Sequence, residues 1–344
     1  MEENEEEADE DSAGVEEPQE ELAVEDPPLP FAKPTGRQWV ELTLRERKSC
    51  KHNFRMSREA FNNLHEILVE ESGLESSRGV ESIEALGMFL LACATGECAR
   101  GLQDTFRRSL DTIHRKMAHV AEVMVRFGDK VICPKDPSYS TVSPKVAKWS
   151  PFFDGCIGAI DGTHIEIVAD KESKEDMRNR KGFPSFNVLA IVDHAMRFTF
   201  VGSGMSGACY DMYVLRECQT KPSFPKAPPG MFYAADSGYQ LAPGYLTPYK
   251  NTRCHLQQFV EVGPSTWEEK YNHDHASIRN VVERTFGVAM NRLPPFFELY
   301  CCCCTGFLFG SCSGTVLPAA AAAAAAAIPA AEQADCGRVR PTGV

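Results

Sequence analysis

Apolar positions change their period partway along the chain. From Ser57 onward they recur at helical spacing: Phe61, Leu64, Ile67 and Leu68, then Ile83, Leu86, Phe89, Leu90 and Ala94. A short run over Ala99–Phe106 follows, and then a stripe of Ile113, Met117, Val120 and Val123 or Met124. Recurrence at three and four residues predicts amphipathic helices, and Ser57 and Ser109 stand where N-caps belong. Gly73, Gly79 and Gly96 punctuate the run. Residues 50–132 therefore read as an all-α domain whose helix, turn, short helix and long helix have helix-turn-helix proportions. Pro134, Pro137 and Pro144 mark 133–150 as a linker.

From residue 151 the texture changes to short β-rich runs. Cys156–Val168, Asn187–Asp193 and Phe198–Gly202 predict three strands at hairpin-like spacing, with a fourth in MFYAADSGYQ (231–240). A helix opens at Asp211, and another spans 275–292 with Ile278, Val281, Val282 and Phe286 on its buried side. Asp161 interrupts the first strand, and Asp236 ends the fourth in the same grammar of apolar strand, Asp, small residue and Gly. A carboxylate in a buried strand is costly without a positive partner. A divalent metal is one such partner, whereas a strand-end Asp-Gly turn is the plainer reading. Asp211 is equally read as a helix N-cap. Glu283 borders the apolar face of the last helix. His273 and His275 read as exposed loop histidines, and Trp149 and Trp267 as packing residues.

Net charge is −12, but residues 1–26 hold fourteen acids and no Lys or Arg, so removing them leaves +2 for the remainder. Local basic clusters therefore decide affinity for nucleic acid. One lies between the first two strands and includes Arg178, Arg180 and Lys181; another, with Arg115 and Lys116, opens the long helix. Both could meet DNA phosphates; solvated loop and plain helical bundle are the alternatives. Residues 1–36 are acidic and then Pro-rich, which predicts a disordered tail. No leader precedes the acidic start, and the cysteines outside the C-terminal stretch form no CxxC pair, so reduced thiols and no zinc are expected. Residues 299–344 read as an atypical low-complexity tail rather than a membrane span.

The order strand-Asp, strand, strand, helix, strand-Asp, helix-Glu suits a ribonuclease-H-like α/β core, a mixed sheet with flanking helices, in which the first and fourth strands are neighbours. IDGTH (160–164), RNRKGFPSFNVLAIVD (178–193), MRFTFVGSG (196–204), YAADSGY (233–239), GYLTPYK (244–250) and HASIRNVVERTFGV (275–288) resemble the DDE endonuclease domain of plant PIF/Harbinger transposases. The resemblance implies that Asp161, Asp236 and Glu283 are the catalytic acids and that Asp211 joins them in binding Mg²⁺ or Mn²⁺. It also implies a nuclear protein that cuts DNA at transposon terminal inverted repeats, with a Myb/SANT-like DNA-binding partner and possible homo-oligomers. A host-retained relic without catalysis is the alternative. Gly207-Ala208-Cys209-Tyr210-Asp211 departs from the Gly-Ser-x-His-Asp of relatives. The resemblance stops near Leu293, so the nuclease domain, set at 151–298, is expected to lack closing elements. The residues after about 300 read as a frameshift or misassigned exon.

Overall fold

The computed structural model describes residues 33–167 and 174–292. Its N-terminal part is a bundle of six helices: α1 (Gly36–Arg45), α2 (Arg47–Phe54), α3 (Arg58–Ser72), α4 (Ser82–Thr95), α5 (Ala99–Phe106) and α6 (Leu110–Val131). Ser57 and Ser109 cap α3 and α6 as their positions predict, accepting from the amides of Ala60 and Thr112. The first two helices were not anticipated. Thr35 and Gln38 close a reciprocal capping box that starts α1. The strongly charged sequence of α2 buries only Cys50 and Phe54. Helix α4 is apolar nearly all round and so lies at the centre, against α1, α2, α3, α5 and α6.

A five-stranded mixed sheet follows, with β1 (Cys156–Glu166), β2 (Ser185–Val192), β3 (Phe198–Ser206), β4 (Phe232–Ala235) and β5 (Tyr245–Leu246) in the order β3-β2-β1-β4-β5. β1–β2 and β2–β3 are antiparallel, whereas β1–β4 and β4–β5 are parallel. The first and fourth strands are thus neighbours, as the sequence order required. The two-residue β5 is too short to leave a periodic signal.

Alternation along the strands divides the core into two layers. Ala159, Ala190, Val192, Phe198 and Ala234 face α8 (Trp267–Arg292) in a core that runs on into the helical bundle. Ile160, Leu189, Ile191, Phe200, Tyr233 and Ala235 face the other way, onto Val214, Leu215 and Cys218 of α7 (Asp211–Gln219). With both faces covered, β2 is buried at every position. Within 133–150, a 3-10 helix spans Pro144–Trp149, and its Val146 is buried in the core shared by bundle and sheet. No helix among the described residues is long and apolar enough to cross a membrane. The acidic residues 1–26 and the 299–344 tail lie outside the described residues.

Candidate active site

The last register pair between β1 and β4 is Ile160 with Ala235, so Asp161 and Asp236 are the next residues on two adjacent parallel strands. Beyond that point β1 continues paired to β2 alone, Asp161 opposite Ala190, while the chain turns away at Asp236. Ser237 Oγ donates to Asp236 Oδ1 at 3.1 Å, and the Tyr239 amide donates to the Asp236 carbonyl at 3.0 Å, closing the turn. Two-residue alternation places Asp161 on the same side as Ala159, the side covered by α8.

Helix α8 brings two charged residues to this point. Ile278, Val282, Phe286 and Ala289 anchor its buried stripe, and Arg279 and Glu283 lie one position after the first two of these. Arg279 Nη1 donates to Asp161 Oδ2 at 2.8 Å, and its Nη2 pairs with Glu283. Asp161 and Arg279 are largely enclosed, with 20% and 16% of their side chains exposed, whereas Glu283 is half exposed. Burial pushes the Asp161 carboxyl up to about 6; Arg279 opposes the shift, while the charges of Asp236 and Glu283 add to it. Burial disfavours the Arg279 charge, but Asp161, Glu283 and Asp236 together outweigh it and hold its pKa up. Three carboxylates from three elements therefore share one electrostatic field with one guanidinium among them. Sequence reading missed Arg279, because Arg and Glu four apart on a helix normally signal an exposed surface pair.

Asp211 approaches from the α7 side. It is not the N-cap: Tyr210 occupies that position, and Asp211 is the first helical residue. Its Oδ1 instead accepts from Asn187 Nδ2 at 3.3 Å, and the same amide donates to the Cys209 carbonyl at 3.2 Å. A backbone carbonyl thus joins the altered Gly207–Asp211 segment to a buried asparagine of β2. A Cβ on Gly162 would stand 3.3 Å from Asp211 Oδ1, and one on Gly238 would stand 3.6 Å from Asp211 Oδ2 and 3.9 Å from Asp236 Oδ2. Asp161-Gly162 is not the strand-end turn of the plainer reading but lies within β1, and Gly162 there and Gly238 in the Asp-Ser-Gly turn let Asp211 come in beside Asp161 and Asp236. Tyr239 is buried with no hydrogen-bond partner for its hydroxyl. Burial, reinforced by Asp211, Asp161 and Asp236, raises its pKa well above the usual phenol value. Asn187 and Tyr239 were legible only as strand and turn residues.

The donor set is all oxygen, which suits Mg²⁺ or Mn²⁺, and an orphaned hydroxyl faces it. Among the described residues, however, no three His, Cys, Asp or Glu side chains stand close enough to hold one ion as arranged. Arg279 supplies the positive partner instead.

The basic residues divide. Arg178 is committed to Glu175 at 3.0 Å and to the Gly182 carbonyl at 2.8 Å, so it shapes its own loop. Arg180 lies over the Tyr210 ring, 5.6 Å from its centroid, and Arg180 and Lys181 both act electrostatically on His164, two residues from Gly162. Arg115 and Lys116 are on α6, in the helical bundle. Two expectations are corrected. His273 and His275 are not exposed loop residues: α8 begins two turns earlier than predicted, His273 is partly buried with its ring edge-on to Phe259, and His275 is 1% exposed, with Nε2 bonded to the Leu246 carbonyl at 2.9 Å. Trp267, at the start of α8, is 65% exposed and only edges against Tyr249.

Two family models match the chain: residues 160–294 fit a family described as DDE superfamily endonuclease, and residues 32–126 fit a domain of unknown function. Among curated proteins, those named "Putative nuclease HARBI1" are similar. The Rattus norvegicus protein is 24% identical over 59% of this chain and 54% of its own length. The Bos taurus protein is 24% identical over 61% and 56%, and the Homo sapiens protein 23% over 61% and 56%. The chain spans about half the length of these relatives. No solved structure matches significantly.

Proposed function

We propose, from the match of residues 160–294 to the DDE superfamily endonuclease family and the similarity to the Harbinger-derived nucleases, that the chain is a metal-dependent DNA endonuclease of transposase type with a ribonuclease-H-like core. The observation that carries this is that Asp161 and Asp236 follow directly on the last paired residues of the parallel strands β1 and β4, with Glu283 of α8 in the same field. The strand order, with the lone antiparallel β2 beside β1, supports the fold assignment.

Asp161, Asp236 and Glu283 would hold Mg²⁺ or Mn²⁺, with Asp211 as a further ligand. When bound, such cations lower the pKa of a water nucleophile and stabilise charge on the attacking and leaving oxygens of a phosphodiester. The protein's own part is positioning and charge. Asn187 fixes the Asp211 carboxylate, the Asp236 turn fixes its carboxylate, and Arg279 is a buried cation able to pass from the acids to a phosphate. Arg180, over the Tyr210 ring next to Asp211 in the chain, and Lys181, which with Arg180 acts electrostatically on His164, suit backbone contacts. DNA as substrate implies work in the nucleus, and the family resemblance adds terminal inverted repeats as target, a Myb/SANT-like partner and self-association.

A second reading is a catalytically silent DNA- or protein-binding relic, favoured by the Arg279 pairing and by the absence, among the described residues, of three acids at ligating distance. A nicking assay on supercoiled DNA with Mg²⁺ separates the two. Nicking lost in both Asp161→Ala and Glu283→Ala supports the enzyme; nicking that survives both removes the assigned site, and no nicking by the parent chain favours the relic.

A further inference from the structure

A recess of about 160 Å³ lies on the helical bundle between the turn Ser77–Val80 and the first turns of α6, lined by Arg78, Gly79, Arg108, Thr112, Arg115 and Lys116 among others. Four cationic side chains from two separate segments share this small space. Only some of that charge is neutralised. Arg108 is clamped by the buried Glu84 at 2.7 and 2.9 Å. Arg115 meets Asp111 at 2.8 Å, but both are more than two-thirds exposed, and such pairs are weak. Lys116 is half buried and makes no hydrogen bond or ion pair with any of the described residues; burial, and next the Arg115 charge, lower its pKa, with Glu84 opposing.

The opposite wall is a two-residue turn. Ser77 and Val80 exchange both backbone hydrogen bonds, at 2.9 and 3.1 Å, with Gly79 at φ +86°. The intervening amides of Arg78 and Gly79 take no part in them. Thr112, whose amide and hydroxyl are both held by the Ser109 cap, contributes only its place in the first turn, at the positive end of the α6 dipole. Cations and amides converging from different sides suit a tetrahedral oxyanion with several acceptor atoms. We propose that this recess is a phosphate site and that its occupant is a backbone phosphate of duplex DNA, a second anchor on the helical domain. The choice of DNA over a free phosphate rests on the endonuclease reading above.

The test uses the full chain and duplex DNA, with affinity measured across a range of NaCl concentrations. Arg78→Gln and Lys116→Gln each remove a charge that holds no other residue in place, so the fold is retained; Arg108 is avoided because it neutralises Glu84. Each variant should reduce the slope of log affinity against log salt by about one, whatever the DNA sequence, and Lys116→Arg should restore it. Inorganic phosphate should shift the amide resonances of Arg78 and Gly79. Unchanged slopes overturn the proposal. Phosphate-induced shifts with unchanged slopes overturn the DNA assignment and identify a free phosphate as the occupant. Slopes that respond while nicking is absent retain the anchor and remove the catalytic reading alone.

Discussion

Arg279 and His275 occupy consecutive turns on one face of α8 and carry opposite obligations. Arg279 must stay charged, because it is the positive partner of Asp161 and Glu283. Removing one member of a largely enclosed pair leaves an uncompensated charge, so Arg279→Gln should destabilise the metal-free protein by about 3 kcal/mol. The same variant should gain more thermal stability from added Mn²⁺ than the parent does, since a bound cation supplies the missing positive charge. Differential scanning with and without Mn²⁺ measures both effects. His275 must stay neutral: burial holds its pKa down at about 4, below the ordinary 6.5. Above pH 6.5 it is unprotonated in both folded and unfolded chains. As pH falls from 6.5 toward 4 the unfolded chain binds a proton that the folded one refuses, and stability is lost. Between pH 7 and 5 that loss amounts to about 2 kcal/mol. Asp161 acts in the opposite sense over the same range, so the measurement is a difference: denaturant unfolding of His275→Asn should show a shallower loss toward acid than the parent, whatever constant offset the substitution adds.

Elements were legible where one physical signal dominated. Strand β1 is legible by alternation and β2 by an unbroken apolar run bounded by turn residues, and α3, α4 and α6 by helical spacing together with Ser or Gly at their ends. Helices α1 and α2 escaped because charged residues fill most of their surface and few apolar positions mark a stripe. Asp161, Asp236 and Glu283 could be singled out as candidates from a charge inside a strand, an Asp at a strand end and a helix border. Arg279 and Asn187 were not, since only the folded register shows which acids they meet. The buried pair between α4 and the start of α6 was equally hidden, Glu84 being 1% exposed in the middle of an apolar run. Arg108→Ala should therefore cost about 3 kcal/mol or more, as it strands a buried carboxylate. Combining it with Glu84→Gln should recover much of the loss, and chemical denaturation of the single and double variants checks both statements.

At the scale of the molecule, one face of the sheet and the helical bundle share a continuous core, through Val146, Phe153 and the buried stripe of α8. Helix α8 packs its buried stripe onto β1, β2 and β4 within that core and presents Arg279 and Glu283 to the carboxylates with its flank. The position of the acids depends in this way on packing that reaches beyond the sheet. In the proposed function, Asp161, Asp236 and Glu283 act together on one class of ion. Calorimetric titration of the whole chain with Mn²⁺ tests it directly, using the parent, Asp161→Asn, Asp236→Asn and Glu283→Gln. Saturable binding by the parent, weakened tenfold or more by each substitution, is the predicted result. Binding that all three variants retain unchanged, or a folded parent that takes up no Mn²⁺, would contradict it.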